Sequence, residues 1–186
     1  MPRSGAAARA RLREAALELY RERGYDATTT AEIAARAGVT ERTYFRHFAD
    51  KREVLFDGET ELRDVMVGAI ASASDEVSAL SLVLGAYTAA IPLFVAGRPT
   101  AERRAGLIAT TPALRERAQS KSATLTEALI QALVERRVAE PAARLAAGAG
   151  AVVFEYASRA WDGTTATGLA ALITRATDEL HALTTP

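Results

Sequence analysis

Residues 28–55 read Thr28-Thr29-Thr30-Ala31-Glu32-Ile33-Ala34-Ala35-Arg36-Ala37-Gly38-Val39-Thr40-Glu41-Arg42-Thr43-Tyr44-Phe45-Arg46-His47-Phe48-Ala49-Asp50-Lys51-Arg52-Glu53-Val54-Leu55. Ile33, Ala34 and Ala37 recur at helical spacing, and Thr28 or Thr29 ahead of them can cap free N–H groups. Ala34 is small where a second helix has to cross closely. Gly38, four residues on, permits the positive φ of a sharp turn, and Val39 plugs the corner. Thr40 then caps a further helix. In that helix Tyr44 and Phe48, four apart, share an inward face. Arg42, Thr43, Arg46 and His47 share the other, since 42/46 and 43/47 are i,i+4 pairs. That second face is donor-rich and free of acids. Ala-x3-Gly-x5-aromatic is the steric skeleton of a helix-turn-helix, whose second helix enters the DNA major groove.

Outward from this stretch no strand alternation persists, and Ala, Leu, Arg and Glu dominate, so an all-α chain of about nine helices is expected. A first helix spans about Ser4 to Arg23 with Leu12, Ala16, Leu19 and Tyr20 on one stripe. Gly24 is its left-handed cap and Tyr25 folds back. Asp50 and Glu53 suggest a capping box opening a helix that reaches about Ala71. The next helix runs through Val77, Leu84 and Ile91, bends at Pro92 and ends at Gly97-Arg98-Pro99. A short helix from Pro99 to Ala109 follows. Thr111-Pro112 and Glu140-Pro141 each announce a long helix. A last helix covers about Gly168 to Leu183. The expected domains are 1–50, a three-helix DNA-binding unit, and 51–186, a helical ligand-binding and dimerisation unit.

With 186 residues, 49% of them hydrophobic, the chain can bury a substantial core. It holds no cysteine, hence no disulfide or thiolate metal site. The two histidines, His47 and His181, form no acid–His–His cluster with metal spacing, so no metal and no cofactor are expected. The N-terminus lacks the apolar run of a signal peptide, and the stretch around 81–97 is too short for a membrane span. A cytoplasmic protein without membrane contact is expected. The formal charge is +0, yet residues 1–56 carry eleven Lys and Arg against eight Asp and Glu, the remainder twelve against fifteen. A positive N-terminal excess suits phosphate contact.

Gly24-Tyr25, Thr28-Thr29, Ile33-Ala34, Ala37-Gly38-Val39, Thr40, Thr43, Phe48, Lys51 and Leu55 together resemble the tetracycline-repressor (TetR) family of bacterial transcriptional regulators. The match needs no gaps and covers about a third of the chain. The resemblance implies a homodimer on a roughly palindromic DNA operator, normally a repressor, released by a small-molecule effector. It implies phosphate contacts at Thr29, Thr40, His47 and Lys51, and base reading at Arg42, Thr43 and Arg46. The residues themselves agree for Arg42, whose fork fits guanine O6 and N7; Arg46 suits base or phosphate. Glu41 fits a cytosine amine or simply a helix N-terminus. The order Tyr44-Phe45 departs from the family, which often places Tyr second, so no hydroxyl is available at 45.

The C-terminal part is read more coarsely. Leu145, Gly148, Val152 and Tyr156 line one side of the eighth helix, and Leu169, Leu172, Ile173, Ala176 and Leu180 spread widely around the ninth. Two copies of each helix are expected to form a four-helix dimer interface. Close helix packing is the expected reason for Gly148 and Gly150. Tyr87, Phe94, Phe154 and Trp161 are the candidate ligand-pocket aromatics. Arg103 and Arg104 suit an anionic ligand or solvent. The rival readings are a constitutive or architectural DNA-binder without a ligand, and a small helical enzyme. The enzyme is disfavoured because no nucleophile–base pair stands out.

Overall fold

A computed structural model describes residues 3–183, with side chains from residue 5. Nine α-helices and one 3-10 turn make up the described residues, with no strand. The helices are α1 (Arg3–Arg23), α2 (Thr30–Arg36), α3 (Glu41–His47), α4 (Glu59–Ser72), α5 (Ala79–Ala89), α6 (Ile91–Thr110), α7 (Pro112–Glu135), α8 (Glu140–Ala160) and α9 (Ala166–Ala182), with the 3-10 turn at Glu53–Phe56. The chain divides into two compact units, residues 1–58 with 99–120 and residues 59–98 with 121–186. The expected cut near residue 50 did not foresee that residues 99–120 group with the N-terminal part.

In the first unit Leu12, Ala16, Leu19 and Tyr20 of α1 bury against Ile33 and Ala34 of α2 and Tyr44 of α3. Leu114 of α7 joins the same core, with Leu107 and Ile108 of α6 packed on it. Arg103 clasps Glu14 with two bonds of 2.8 and 2.7 Å, which holds the Glu14 carboxyl below its usual range. Arg104 donates to Leu55 O at 2.8 Å and lies over the Phe56 ring, and Arg117 pairs with Glu53. Arg103 and Arg104 are therefore ties within this unit, neither ligand-facing nor merely solvated.

In the second unit α4, α5, α7 and α8 share a core of Met66, Ile70, Val83, Leu129, Leu133 and Ala147. A neighbouring cluster of Ile91, Val153, Ala157, Leu169 and Ile173 joins α6, α8 and α9. Arg136 closes the end of α4 by donating to the carbonyls of Ile70, Ala71, Ala73 and Ser74 and to Asp75. A methyl group at Gly150 would run into Val83 Cγ1, so this glycine permits the close α5–α8 approach. Gly148 has nothing within 4 Å and faces outward, so close packing within the chain accounts for only one of the two.

Two element boundaries differ from the sequence expectation. The helix expected from Asp50 starts only at Glu59, because the 3-10 turn and Gly58, at φ +96°, interrupt it. Asp50 caps that turn, accepting from the N–H groups of Arg52 and Glu53. The bend near Pro92 is present as a 57° break between α5 and α6 at Ala90. The stop expected at Pro99 is absent: α6 passes through it to Thr110. A proline inside a helix removes one ladder bond and clashes with the preceding turn, and Pro99 lies where the chain passes from one unit to the other. No single helix among the described residues is long and apolar enough to cross a membrane.

Candidate nucleic-acid interface

Two short helices present the candidate site, and their ends are held by local bonds. Thr29 Oγ1 accepts from Glu32 N at 3.2 Å, while the Glu32 carboxylate accepts from Thr29 N and Oγ1, each at 2.9 Å. This reciprocal cap keeps the Glu32 carboxyl below its usual range. Thr28 serves the other side: its hydroxyl, in a side chain only 1% exposed, donates to Gly24 O at 2.8 Å and finishes α1. Gly38 takes φ +67°, and Val39 N returns to Ala34 O at 3.0 Å to make the tight turn. Thr40 Oγ1 then accepts from Thr43 N at 3.2 Å and starts α3.

The inward face of α3 is rigid. Tyr44 is fully buried and its hydroxyl donates to Asp50 O at 3.0 Å; burial pushes its pKa up. Tyr20 donates to Lys51 O from beneath. Phe48 completes the seal. The outward face then has a fixed bearing, with Arg42 and Arg46 exposed and Thr43 half-buried. Thr40 and Thr43 hydroxyls stand 3.1 Å apart, so one hydrogen lies between them and the other hydroxyl hydrogen is left for an outside acceptor.

The distribution of arginine partners separates this face from its surroundings. Arg9 and Arg13 meet Asp57, Arg23 meets Glu32, Arg36 spans Glu18 and Glu22, and Arg52 meets Asp50. Arg42 and Arg46 have no carboxylate partner among the described residues, as is also the case for Arg11 and Arg21 on α1. Two donor forks on the exposed face of α3 can therefore donate to phosphate oxygens or base-edge acceptors without breaking an existing pair. Glu41 is occupied, accepting from Thr30 Oγ1 at 2.6 Å.

Three residues expected at phosphates have other engagements within the chain. Lys51 is turned inward: its ammonium donates to Tyr25 O at 3.0 Å, Thr28 O at 3.3 Å and Asp26 O at 3.5 Å, and it lies 4.1 Å from the Tyr25 ring centre. All three of its donors are used on the α1–α2 turn. His47 has its Nε2 buried without a partner, and burial, then Arg46 and Arg9, lowers its pKa. That surrounding disfavours the charged form with which a phosphate would pair. The Thr29 hydroxyl hydrogen belongs to Glu32. Sequence spacing could not reveal these engagements, because the partners of Lys51 lie some 23 to 26 residues away.

In the second unit Tyr87 stacks on Phe154 at 4.6 Å, and Phe94 meets Phe154 at 4.4 Å. Trp161 is apart from this trio. Its Nε1 donates to Thr165 O at 3.1 Å and Arg98 lies over its ring, so it plugs the corner between α8 and α9 and its one donor is used. Of the expected interface, Leu145, Val152 and Tyr156 are exposed at 76%, 63% and 55%. Leu172 and Leu180 are half-buried, and Leu169, Ile173 and Ala176 are buried within the subunit. The inner face of α9 is therefore core of its own chain.

A tight turn between two capped helices, with arginines lacking carboxylate partners on the outer face of the second, has the geometry of a helix-turn-helix. Residues 12–57 match the profile described as "Bacterial regulatory proteins, tetR family". Over that stretch the chain is similar to the TetR family of bacterial regulators. It is 34% identical over 76 residues to the HTH-type transcriptional regulator TcmR of Streptomyces glaucescens, covering 41% of this chain and 34% of that one. It is 50% identical over 42 residues to the uncharacterized HTH-type transcriptional regulator YvkB of Bacillus subtilis, covering 23% and 22%. The matches thus span about a third and about a fifth of these curated relatives' length. Among solved structures, the fatty acid degradation regulator FadR of Bacillus halodurans aligns with TM-score 0.54 at 16% identity over 93% of this chain and 94% of that one. A FadR of Thermus thermophilus, described as a TetR-family transcriptional repressor in complex with lauroyl-CoA, aligns with TM-score 0.52 at 19% identity over 92% of both. Identities this low speak for the fold alone.

Proposed function

We propose that the chain is a homodimeric repressor that binds a roughly palindromic operator through α3 and is released by a small-molecule effector held by the region 51–186. The observation that carries DNA reading is the pair Arg42 and Arg46, exposed on a helix whose other face is buried and pinned, with no carboxylate paired to either among the described residues. Each fork bound to a guanine contributes about 1–3 kcal/mol of discrimination. Thr43 and Thr40 add a hydroxyl donor next to them. Two such helices fit successive major grooves, roughly 34–36 Å apart, only in a dimer. The exposed stripe Leu145, Gly148, Val152 and Tyr156 on α8 supports that dimer, since contiguous apolar surface favours burial against a partner, with Leu172 and Leu180 of α9 at its side.

The effector reading rests on Tyr87. Burial raises its hydroxyl pKa to about 12, so the group stays a neutral donor, and no hydrogen bond among the described residues engages it. The Thermus FadR, similar in fold, was solved with lauroyl-CoA, which makes acyl thioesters the first class to screen. A hundredfold release needs only about 2.7 kcal/mol of differential binding. The stacking of Tyr87, Phe154 and Phe94 on one another supports a second reading, a constitutive DNA-binder whose aromatics are simply core.

Selection of duplexes from a random pool, followed by footprinting, tests the proposal. Bound sites should be palindromic, and Arg42→Ala with Arg46→Ala should abolish the footprint while thermal unfolding stays unchanged. Footprinting by the double variant equal to wild type overturns the site. Acyl-CoA thioesters added to the same complex should release it; indifference to effectors of every class screened favours the constitutive reading.

A further inference from the structure

Phe45 is the one large hydrophobic side chain of the first unit that the described residues leave exposed, at 52%. A single exposed apolar residue requires no explanation by itself. Its setting does. The ring meets Tyr44 edge-on, with centroids 5.6 Å apart and planes at 80°. Tyr44 is buried and tied to Asp50, so Phe45 stands on a fixed support. Along α3 it lies three residues after Arg42 and directly before Arg46, both without a carboxylate partner among the described residues.

Phe45 has no donor or acceptor, so it can neither hold a phosphate oxygen nor pair with a base edge. The only apolar group that a base presents in the major groove is the C5-methyl of thymine; the other three bases present donors and acceptors there. We propose that Phe45 is a specificity-determining residue that covers the C5-methyl of one thymine in each half-site. This rests on the DNA-binding reading above. Phe45 would select thymine beside the bases that Arg42 and Arg46 contact, through exclusion of water rather than hydrogen bonding. Loss of one buried methyl corresponds to about fourfold in affinity per half-site, and about fifteenfold for two, at roughly 0.8 kcal/mol per carbon.

The experiment replaces each thymine of the selected operator by deoxyuridine, one symmetric pair at a time, which removes the methyl and leaves every base-pair hydrogen bond. One pair should weaken wild-type binding about fifteenfold, and the same replacement should have no effect on Phe45→Ala. The slope of affinity against salt should be the same for both proteins, since no phosphate contact is lost. Absence of any uracil-sensitive pair in wild type overturns the proposal, even if Phe45→Ala fails to fold. Sensitivity that persists in a folded Phe45→Ala overturns it as well. Failure of wild type to retain any duplex would refute the DNA-binding reading itself, which separates the two results.

Discussion

The imidazole of His47 sits where a proton is unwelcome. Burial and the neighbouring Arg46 and Arg9 lower its pKa beneath the ordinary 6.5, so the unfolded chain takes up the proton more readily than the folded one. The contribution is fully favourable above pH 6.5 and is lost as pH falls from there through the lowered folded value. His47→Gln should flatten the stability curve below pH 6.5, measured by urea unfolding at a series of pH values; an unchanged curve would remove His47 as the cause. Arg42 and Lys51 make the complementary point. Both are basic residues near the same turn, yet one is free and the other has three carbonyls to hold. Charge on a sequence is therefore not charge on a surface.

At the scale of elements, α5 and α8 touch through a glycine and α8 turns another glycine outward. Gly150→Ala should destabilise the subunit by about 1–3 kcal/mol, because its methyl meets the branched, stiff Val83. Gly148→Ala should instead stabilise an isolated subunit by up to about 1 kcal/mol through helix propensity, since nothing stands within 4 Å. Calorimetry of both variants checks the pair, and an equal loss in both would deny the asymmetry. The capping signals of α2 and α3 were readable because they act over three residues. The course of α6 through Pro99 was not, because a local breaker was overridden by packing: Leu107 and Ile108 beyond it join the core of the first unit.

For the whole molecule, the apolar surface of the second unit divides into an inner set and an outer set. Leu169 is fully buried, and Leu169→Ala should lower subunit stability by about 2–5 kcal/mol. Leu145→Glu with Val152→Glu, both at exposed positions, should halve the mass found by sedimentation and leave the helical content unchanged. An unaltered mass sinks the proposed α8 interface. The sequence showed that α8 and α9 are both apolar on broad faces. Which leucines of those faces remain outside depends on where α5 and α6 lie against them.

The sequence by itself determined the all-α class, the helix-turn-helix and the face of its second helix that stays exposed. The signals for these are caps, a turn glycine and i,i+4 spacing, all set by neighbours within a turn or two. Only the tertiary structure decided which donors of that helix-turn-helix are spent, which candidate interface residues are core, and that residues 99–120 belong with the first 58. Those outcomes depend on partners far apart in the chain, as Arg103 and Glu14 are 89 residues apart. Burial and pairing over such separations arise from three-dimensional packing, which no local pattern encodes.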